Sequence, residues 1–144
     1  MPRYRECRTA EIDASPQQCF DALIDFERLP EWQGAVREAR VLERDEAGRG
    51  SVVEYVVDAR VKTVRYRLRQ IYEEPARLAS EYLGGDFRDF AGEWRFGASG
   101  GGTHAELELR IDPGRFVPGP LRAAIADAVM RRALRDLKAY VESR

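Results

Sequence analysis

Residues 121–142, LRAAIADAVMRRALRDLKAYVE, are the stretch on which the fold turns. Ile125, Val129, Met130, Ala133, Leu134, Leu137 and Val141 recur at three- and four-residue intervals and form one broad apolar face. Arg122, Arg131, Arg135, Asp136 and Lys138 fall on the polar side. A helix from about Leu121 to Glu142 is long for a chain of 144 residues, and its apolar face needs a large surface to cover it. Pro113-Gly114, Pro118-Gly119 and Pro120 separate it from whatever precedes.

What precedes is a run of strands. From Val36 to Ile111 the sequence alternates under turn signals at Ala47-Gly48-Arg49-Gly50, Asp58 to Arg60, Glu74-Pro75, Gly84-Gly85-Asp86 and Gly97 to Gly102. The spacing predicts six antiparallel strands over 36–43, 50–58, 61–72, 77–83, 87–97 and 103–111. Period-two alternation sets Val53, Tyr55 and Val57 against Glu54 and Asp58. It likewise sets Phe90, Gly92, Trp94 and Phe96 against Asp89, Glu93 and Arg95. Ala105, Leu107, Leu109 and Ile111 lie opposite His104, Glu106, Glu108 and Arg110. In the segment from Val61 to Ile71 the apolar parity changes near Thr63, which predicts a bulge or a sharp bend there.

Further back, Tyr4 to Asp13 reads as another strand, with Tyr4, Ala10 and Ile12 on one face. Glu6 and Arg8 share that face, either as polar groups of a cavity or as groups exposed at an edge or salt-bridged to a neighbouring strand. Ser15-Pro16-Gln17-Gln18 is a helix start: Ser15 as N-cap, proline in the first position and Gln18 completing a capping box. Cys19, Phe20, Leu23 and Phe26 then follow at helical spacing, which makes Cys19 a small core residue in preference to a nucleophile. Leu29-Pro30 breaks that helix, and a second short helix or turn carries Trp32.

Composition narrows the function classes. With 24 Lys+Arg against 25 Asp+Glu the net charge is -1, so no basic field invites nucleic acid, and none is expected as a partner. The six basic residues of segment 122–144 exceed its three acidic ones only modestly, as a solvated helix face would. Two cysteines and a single histidine supply neither a disulfide framework nor a metal cluster, so no metal or cofactor is expected. The segment after Met1 lacks an apolar core and no stretch approaches the length of a membrane span, which makes the expected location cytoplasmic. The length suits one domain over 1–144, burying roughly 68–70% of its unfolded surface. An exposed edge strand would allow a homodimer without requiring one.

One strand, two short helices, six antiparallel strands and a long last helix make an α+β helix-grip order, a bent sheet of about seven strands wrapped around the C-terminal helix. The sequence also resembles a known group. Ala10-Glu-Ile-Asp-Ala-Ser-Pro16 with Cys19-Phe20, Asp25-Phe-Glu-Arg-Leu-Pro-Glu-Trp32, Phe90-Ala-Gly-Glu-Trp-Arg-Phe96 and Gly102-Thr103 are similar to the START-like (SRPBCC) superfamily. That superfamily includes polyketide cyclase/dehydrases and coenzyme Q-binding proteins. The resemblance covers nearly the whole chain and implies an internal cavity between sheet and helix.

Its implied occupant is a hydrophobic small molecule: a lipid, an isoprenoid quinone or a polyketide-like aromatic. Tyr55, Tyr66, Tyr82, Phe87, Phe90 and Trp94 are the aromatic candidates for the cavity wall, with Trp32 near an entrance and Met130 on the helix side. Gly92, between Phe90 and Trp94, relieves crowding or permits sheet curvature. For the aromatic polyketide cyclase or dehydratase that the resemblance also implies, Tyr55, Tyr66, Arg67 or Tyr82 are the candidate proton-transfer or orienting groups, with at least one of the alternating Arg65, Arg67 and Arg69 pointing inward. All three on the wet face beside Glu81 is the other reading. His104 looks outward, no acid–base pair stands out, and the catalytic residues, if any, are unknown. An interaction module of the ribosome-associated START-like type would work through Arg131, Arg132 and Arg135.

Overall fold

In the computed structural model, residues 5–58, 62–112, 114 and 119–144 are described. Tyr4, Arg60, Val61, Pro113 and Pro118 lie outside the described residues, as do the side chains of Arg122 and Ile125. Strand β1 (Arg5–Ile12) leads into α1 (Pro16–Ile24), a single 3-10 turn at Phe26–Arg28 and the short α2 (Leu29–Trp32). Six strands follow: β2 (Val36–Arg44), β3 (Gly50–Asp58), β4 (Thr63–Glu73), β5 (Arg77–Gly85), β6 (Asp89–Ser99) and β7 (Gly102–Asp112). Helix α3 (Gly119–Glu142) ends the chain. One antiparallel seven-stranded sheet runs in the order β1-β7-β6-β5-β4-β3-β2, so each strand after β2 pairs with its predecessor and β1 closes on β7. This is the helix-grip architecture the sequence predicts.

Local chemistry fixes the ends of these elements. Ser15 Oγ accepts from the Gln18 backbone N–H at 3.1 Å and Gln18 Oε1 accepts from the Ser15 N–H at 2.8 Å, the reciprocal capping box. Thr103, fully buried, donates its hydroxyl to the Ala14 carbonyl at 2.7 Å and so ties β7 to the turn ahead of α1. Beside it, a side chain on Gly102 would place its Cβ 2.4 Å from the Ile12 carbonyl oxygen, which explains glycine in the Gly102-Thr103 pair.

The bend is located differently from the sequence expectation. From Asp58↔Thr63 to Val52↔Arg69 the β3–β4 register runs without a slip, so no bulge sits near Thr63. β4 starts at Thr63, and the parity change in the sequence marks that start. The irregularity falls instead on the other side of β4, between Arg67 and Leu68, whose partners Gly84 and Tyr82 leave Leu83 as the extra residue; next to it, Gly84 and Gly85 have φ of 134° and 143°. Further slips lie along β2–β3 between Val36 and Glu38 and between Val41 and Glu43.

Helix α3 packs against β1 and β7, and against α1 and α2. Its Ala126, Met130, Leu134, Leu137 and Val141 are buried together with Cys19, Phe20 and Leu23 of α1 and Ala105, Leu107 and Leu109 of β7. Burial raises the Cys19 thiol pKa, which fits its core role. Polar clamps hold the helix in place: Asp136 Oδ2 accepts from the Gly34 N–H at 2.9 Å, Lys138 Nζ donates to the Glu11 carbonyl at 2.7 Å, and Glu142 Oε2 accepts from the Asp13 N–H at 2.8 Å. Glu6 and Arg8 are salt-bridge partners, with Arg8 also held 2.9 Å from Asp127 of α3. Among the described residues no helix is long and apolar enough to cross a membrane.

Candidate functional site

Because α3 rests on the β1–β7 side, the inner faces of β3, β4 and β5 are covered largely by their own aromatic side chains. Tyr55 of β3 and Tyr66 of β4 are register partners, and their rings stack with centroids 5.4 Å apart at 22°. Tyr66 also meets Phe90 of β6 at 5.1 Å and Phe87 of the β5–β6 connection at 5.2 Å. Phe87 and Phe90 stack at 5.7 Å, and Tyr82 of β5 lies 6.4 Å from Phe90. Tyr66 is thus the hub of a five-ring cluster assembled from four elements. Gly92 sits beside it as predicted: a Cβ there would stand 3.4 Å from both Phe90 Cε1 and Ser80 Oγ.

The polar tips in this region are arranged unequally. Tyr82 donates its hydroxyl to the Phe87 carbonyl at 2.6 Å, pinning the connection that carries Phe87. Ser80 Oγ donates to the Gly92 carbonyl at 3.1 Å. Gln70 Nε2 donates to the Tyr55 hydroxyl oxygen at 3.2 Å, leaving the Tyr55 proton unspent. The Tyr66 hydroxyl makes no hydrogen bond among the described residues, and Tyr66, 9% exposed, borders a surface depression through which water can reach it.

Burial raises the pKa of Tyr66, and burial followed by the neighbouring Tyr66 and Tyr72 raises that of Tyr55 well above the ordinary phenol value. Tyr82 is raised mainly by burial as well. At the far end of β4, Tyr72 is pushed by burial up to about 12, donates to the Gly50 carbonyl at 2.6 Å and carries Arg49 over its ring at 4.2 Å.

The arginines take the other face. β4 alternates strictly, with Val64, Tyr66, Leu68 and Gln70 buried and Arg65, Arg67, Arg69 and Ile71 exposed. Arg67 is therefore on the outer face, where its Nε donates to Glu54 Oε2 at 2.9 Å, and Arg65 Nη1 donates to Glu54 Oε1 at 2.9 Å. Arg69 pairs with Glu81 at 3.2 Å, as the wet-face reading has it. Glu54 is 5% exposed because these arginine side chains cover it, and its carboxyl is held below the usual range by Arg67 first and Arg65 next, against the opposing effect of burial.

The remaining predicted site residues lie apart from the five rings. Trp32 stacks on Tyr140 of α3 at 4.8 Å and 8°, with its Nε1 buried and without a partner, so it is a bracket between α2 and α3. Trp94 stacks on Phe96 further along β6 at 6.0 Å. Met130 is fully buried on the sheet-facing side of α3. Gln70, 7% exposed, is the inner-face polar residue that sequence reasoning missed, although extending the alternation of Tyr66 and Leu68 by one step finds it.

Two depressions open on the surface, one of them bordered by Tyr66. One of about 250 Å³ lies between α1 and the end of α3, with Gln18, Asp21, Asp25, Arg28 and Tyr140 around it. The other, about 300 Å³, lies over the β4–β5 irregularity and is bounded by Glu54, Arg65, Tyr66, Arg67, Gly85 and Asp86. Among the described residues no group of three His, Cys, Asp or Glu side chains could hold a metal ion.

Comparison with known proteins agrees with this geometry. Residues 12–138 match the family described as polyketide cyclase/dehydrase and lipid transport. No protein of curated function matches the chain. Among solved structures, the fold is similar to that of a START superfamily protein from Mycobacterium smegmatis, with a TM-score of 0.89, 21% identity and 99% of each chain covered. It is also similar to the Zhui aromatase/cyclase from a Streptomyces species, with a TM-score of 0.86, 16% identity and coverage of 99% of this chain and 96% of that one. A protein from Thermus thermophilus gives a TM-score of 0.79 at 24% identity, over 99% of this chain and 98% of that one.

Proposed function

Since the chain belongs to the polyketide cyclase/dehydrase and lipid transport family, whose fold implies a hydrophobic ligand cavity, we propose that it binds an apolar small molecule against the inner face of β3–β6. The ligand classes are those the resemblance implies: a lipid, an isoprenoid quinone or a polyketide-like aromatic. The observation that carries this reading is the five-ring cluster around Tyr66, a continuous aromatic wall with a polar tip left over. Aromatic walls with a few placed polar groups are the usual make-up of sites that enclose apolar ligands.

Binding is favoured over proton transfer by the chemistry of that wall. Phenols whose pKa is raised by burial hold their protons at neutral pH and act as donors, not as bases. The arginine that would polarise a polyketide carbonyl, Arg67, is spent on Glu54 outside. An interaction role through α3 draws little support from its basic residues, since Arg131 pairs with Asp127 at 2.8 Å and Arg132 lies 3.9 Å from Asp136.

Native mass spectrometry of gently purified protein, with extraction of whatever is released, tests the reading. One hydrophobic compound per chain is the expected result, with occupancy reduced in Phe90→Ala. An unliganded mass both as purified and after incubation with a fatty acid, an isoprenoid quinone and an aromatic polyketone would overturn it.

A further inference from the structure

We propose that the depression over the β4–β5 irregularity, on the outer face of the sheet, is a separate binding site for the carboxylate group of a small organic acid. The proposal stands whether or not the inner face holds a ligand. Leu83, the extra residue of the irregularity, is 40% exposed, and the surface beside it is open, since a Cβ on Gly84 would meet nothing within 4 Å. The depression measures about 300 Å³, the lower end of the size range of small-molecule sites. Its rim is fixed by a reciprocal pair of bonds: the Arg65 N–H donates to Asp86 Oδ2 at 2.8 Å and the Asp86 N–H donates to the Arg65 carbonyl at 2.8 Å.

Recognition comes from the arginines along this depression. Buried Glu54 accepts from Arg65 Nη1 and from Arg67 Nε, so one carboxylate holds two guanidiniums and leaves an excess of one positive charge. Because Glu54 fixes both side chains before a ligand arrives, less ordering remains to be done on binding. Arg67 Nη1 and Nη2, and Arg65 Nε and Nη2, make no bond among the described residues, and both side chains are more than half exposed. Planar donors of this kind match the two oxygens of a carboxylate. The charge balance selects a monoanion: with Asp86 on the rim, a dianion would meet two carboxylates and only two arginines, whereas a single negative charge matches the excess left on Glu54. Arg69 and Glu81 pair with each other at 3.2 Å and leave that balance unchanged. Exposed Leu83 offers the organic part of the acid an apolar contact.

The test is an NMR titration of isotope-labelled protein with butyrate, butanol and sulfate at constant ionic strength, followed through the backbone amides and the arginine Nε–H groups. Butyrate should shift the amides of Gly84, Gly85 and Asp86 and the Nε–H of Arg65 and Arg67 saturably, and butanol should leave them unmoved. Sulfate should bind at least about threefold more weakly than butyrate, because its second charge is uncompensated. Arg67→Gln should weaken butyrate binding about fivefold, the worth of a charge-assisted hydrogen bond discounted for exposure. Arg67→Lys, which keeps the charge and loses the planar fork, should weaken it about as much as Arg67→Gln. Amide spectra unchanged away from the depression show that each variant keeps its fold. Absence of these shifts, equal shifts with butanol, tighter binding of sulfate, or butyrate affinity unaltered in Arg67→Gln would each overturn the proposal. Butyrate shifts confined to the inner rings would overturn it as well, while leaving the inner-face reading in place.

Discussion

Tyr66 pairs with Gly85 beside the β4–β5 irregularity so closely that a Cβ on Gly85 would lie 2.5 Å from Tyr66 Cα and 2.4 Å from the Arg65 carbonyl oxygen. The hub of the aromatic cluster is therefore placed by a residue that lacks a side chain. Gly85 also has a φ of 143°, which L-residues rarely adopt, and Gly84 shares that property at 134° but faces open space.

These two glycines separate strain from collision. Gly84→Ala should cost about 1 kcal/mol, from its backbone conformation alone. Gly85→Ala should cost about 3 kcal/mol or more and weaken binding of 2-acetylnaphthalene, because Tyr66 must move. Chemical denaturation of both variants, alongside a binding titration, checks the difference.

On the outer face, Glu54 depends on Arg67 and Arg65. Its pKa is lowered in the folded state, so the pair's stabilisation is present above the ordinary value of 4.5 and is lost as pH falls through the lower folded value. Glu54→Gln should flatten the acid limb of the stability curve. Arg67 is 58% exposed, which discounts its share, and Arg67→Ala should cost no more than about 1 kcal/mol. That variant should bind 2-acetylnaphthalene like the wild type, as expected of a residue on the outer face of the sheet. Unfolding curves over a pH series, with one binding isotherm, measure both effects.

His104, the single histidine, meets Glu11 through Nδ1 and lies 3.4 Å from Glu106 through Nε2. Glu11 above all raises its pKa from the ordinary 6.5, while Lys138 donates to the carbonyl of the same Glu11. A raised histidine stabilises the fold fully below 6.5, and that contribution disappears as pH rises through the folded value. Compared with His104→Gln, the wild type should therefore show its advantage in melting temperature on the acid side and lose it toward alkaline pH.

Thr103 tests the tie between β7 and α1. Thr103→Val keeps the shape and removes the donor to Ala14, leaving a buried carbonyl unpaired, which should cost about 1–2 kcal/mol. Thr103→Ser retains the hydroxyl and should recover much of the loss in equilibrium unfolding.

The architecture was legible because periodicity speaks directly: period two over β3, β6 and β7, a period near 3.6 over α3, and the cap at Ser15. Membership of the inner face was legible for the same reason, and Tyr55, Tyr66, Tyr82, Phe87 and Phe90 do come together. Arg67 was misplaced because Val61 suggested a parity change inside a strand that begins only at Thr63. The sequence puts Trp32 near an entrance and does not reveal its stacking on Tyr140, because that partner is distant in sequence and no local pattern links α2 to the last turns of α3. Glu54 reads as an ordinary wet-face residue until two arginines of the next strand are seen to cover it. Whether a hydroxyl is paired is a tertiary fact, so the distinction between Tyr66 and Tyr82 had no signature in the chain.

The most direct test of the central claim is a two-dimensional NMR titration of aromatic-labelled protein with 2-acetylnaphthalene. The largest shift changes should fall on Tyr55, Tyr66, Tyr82, Phe87 and Phe90, with the tyrosine resonances moving furthest. Changes confined to Tyr140 and the α1–α3 depression, leaving the five rings unmoved, would contradict a ligand site on the inner face of the sheet.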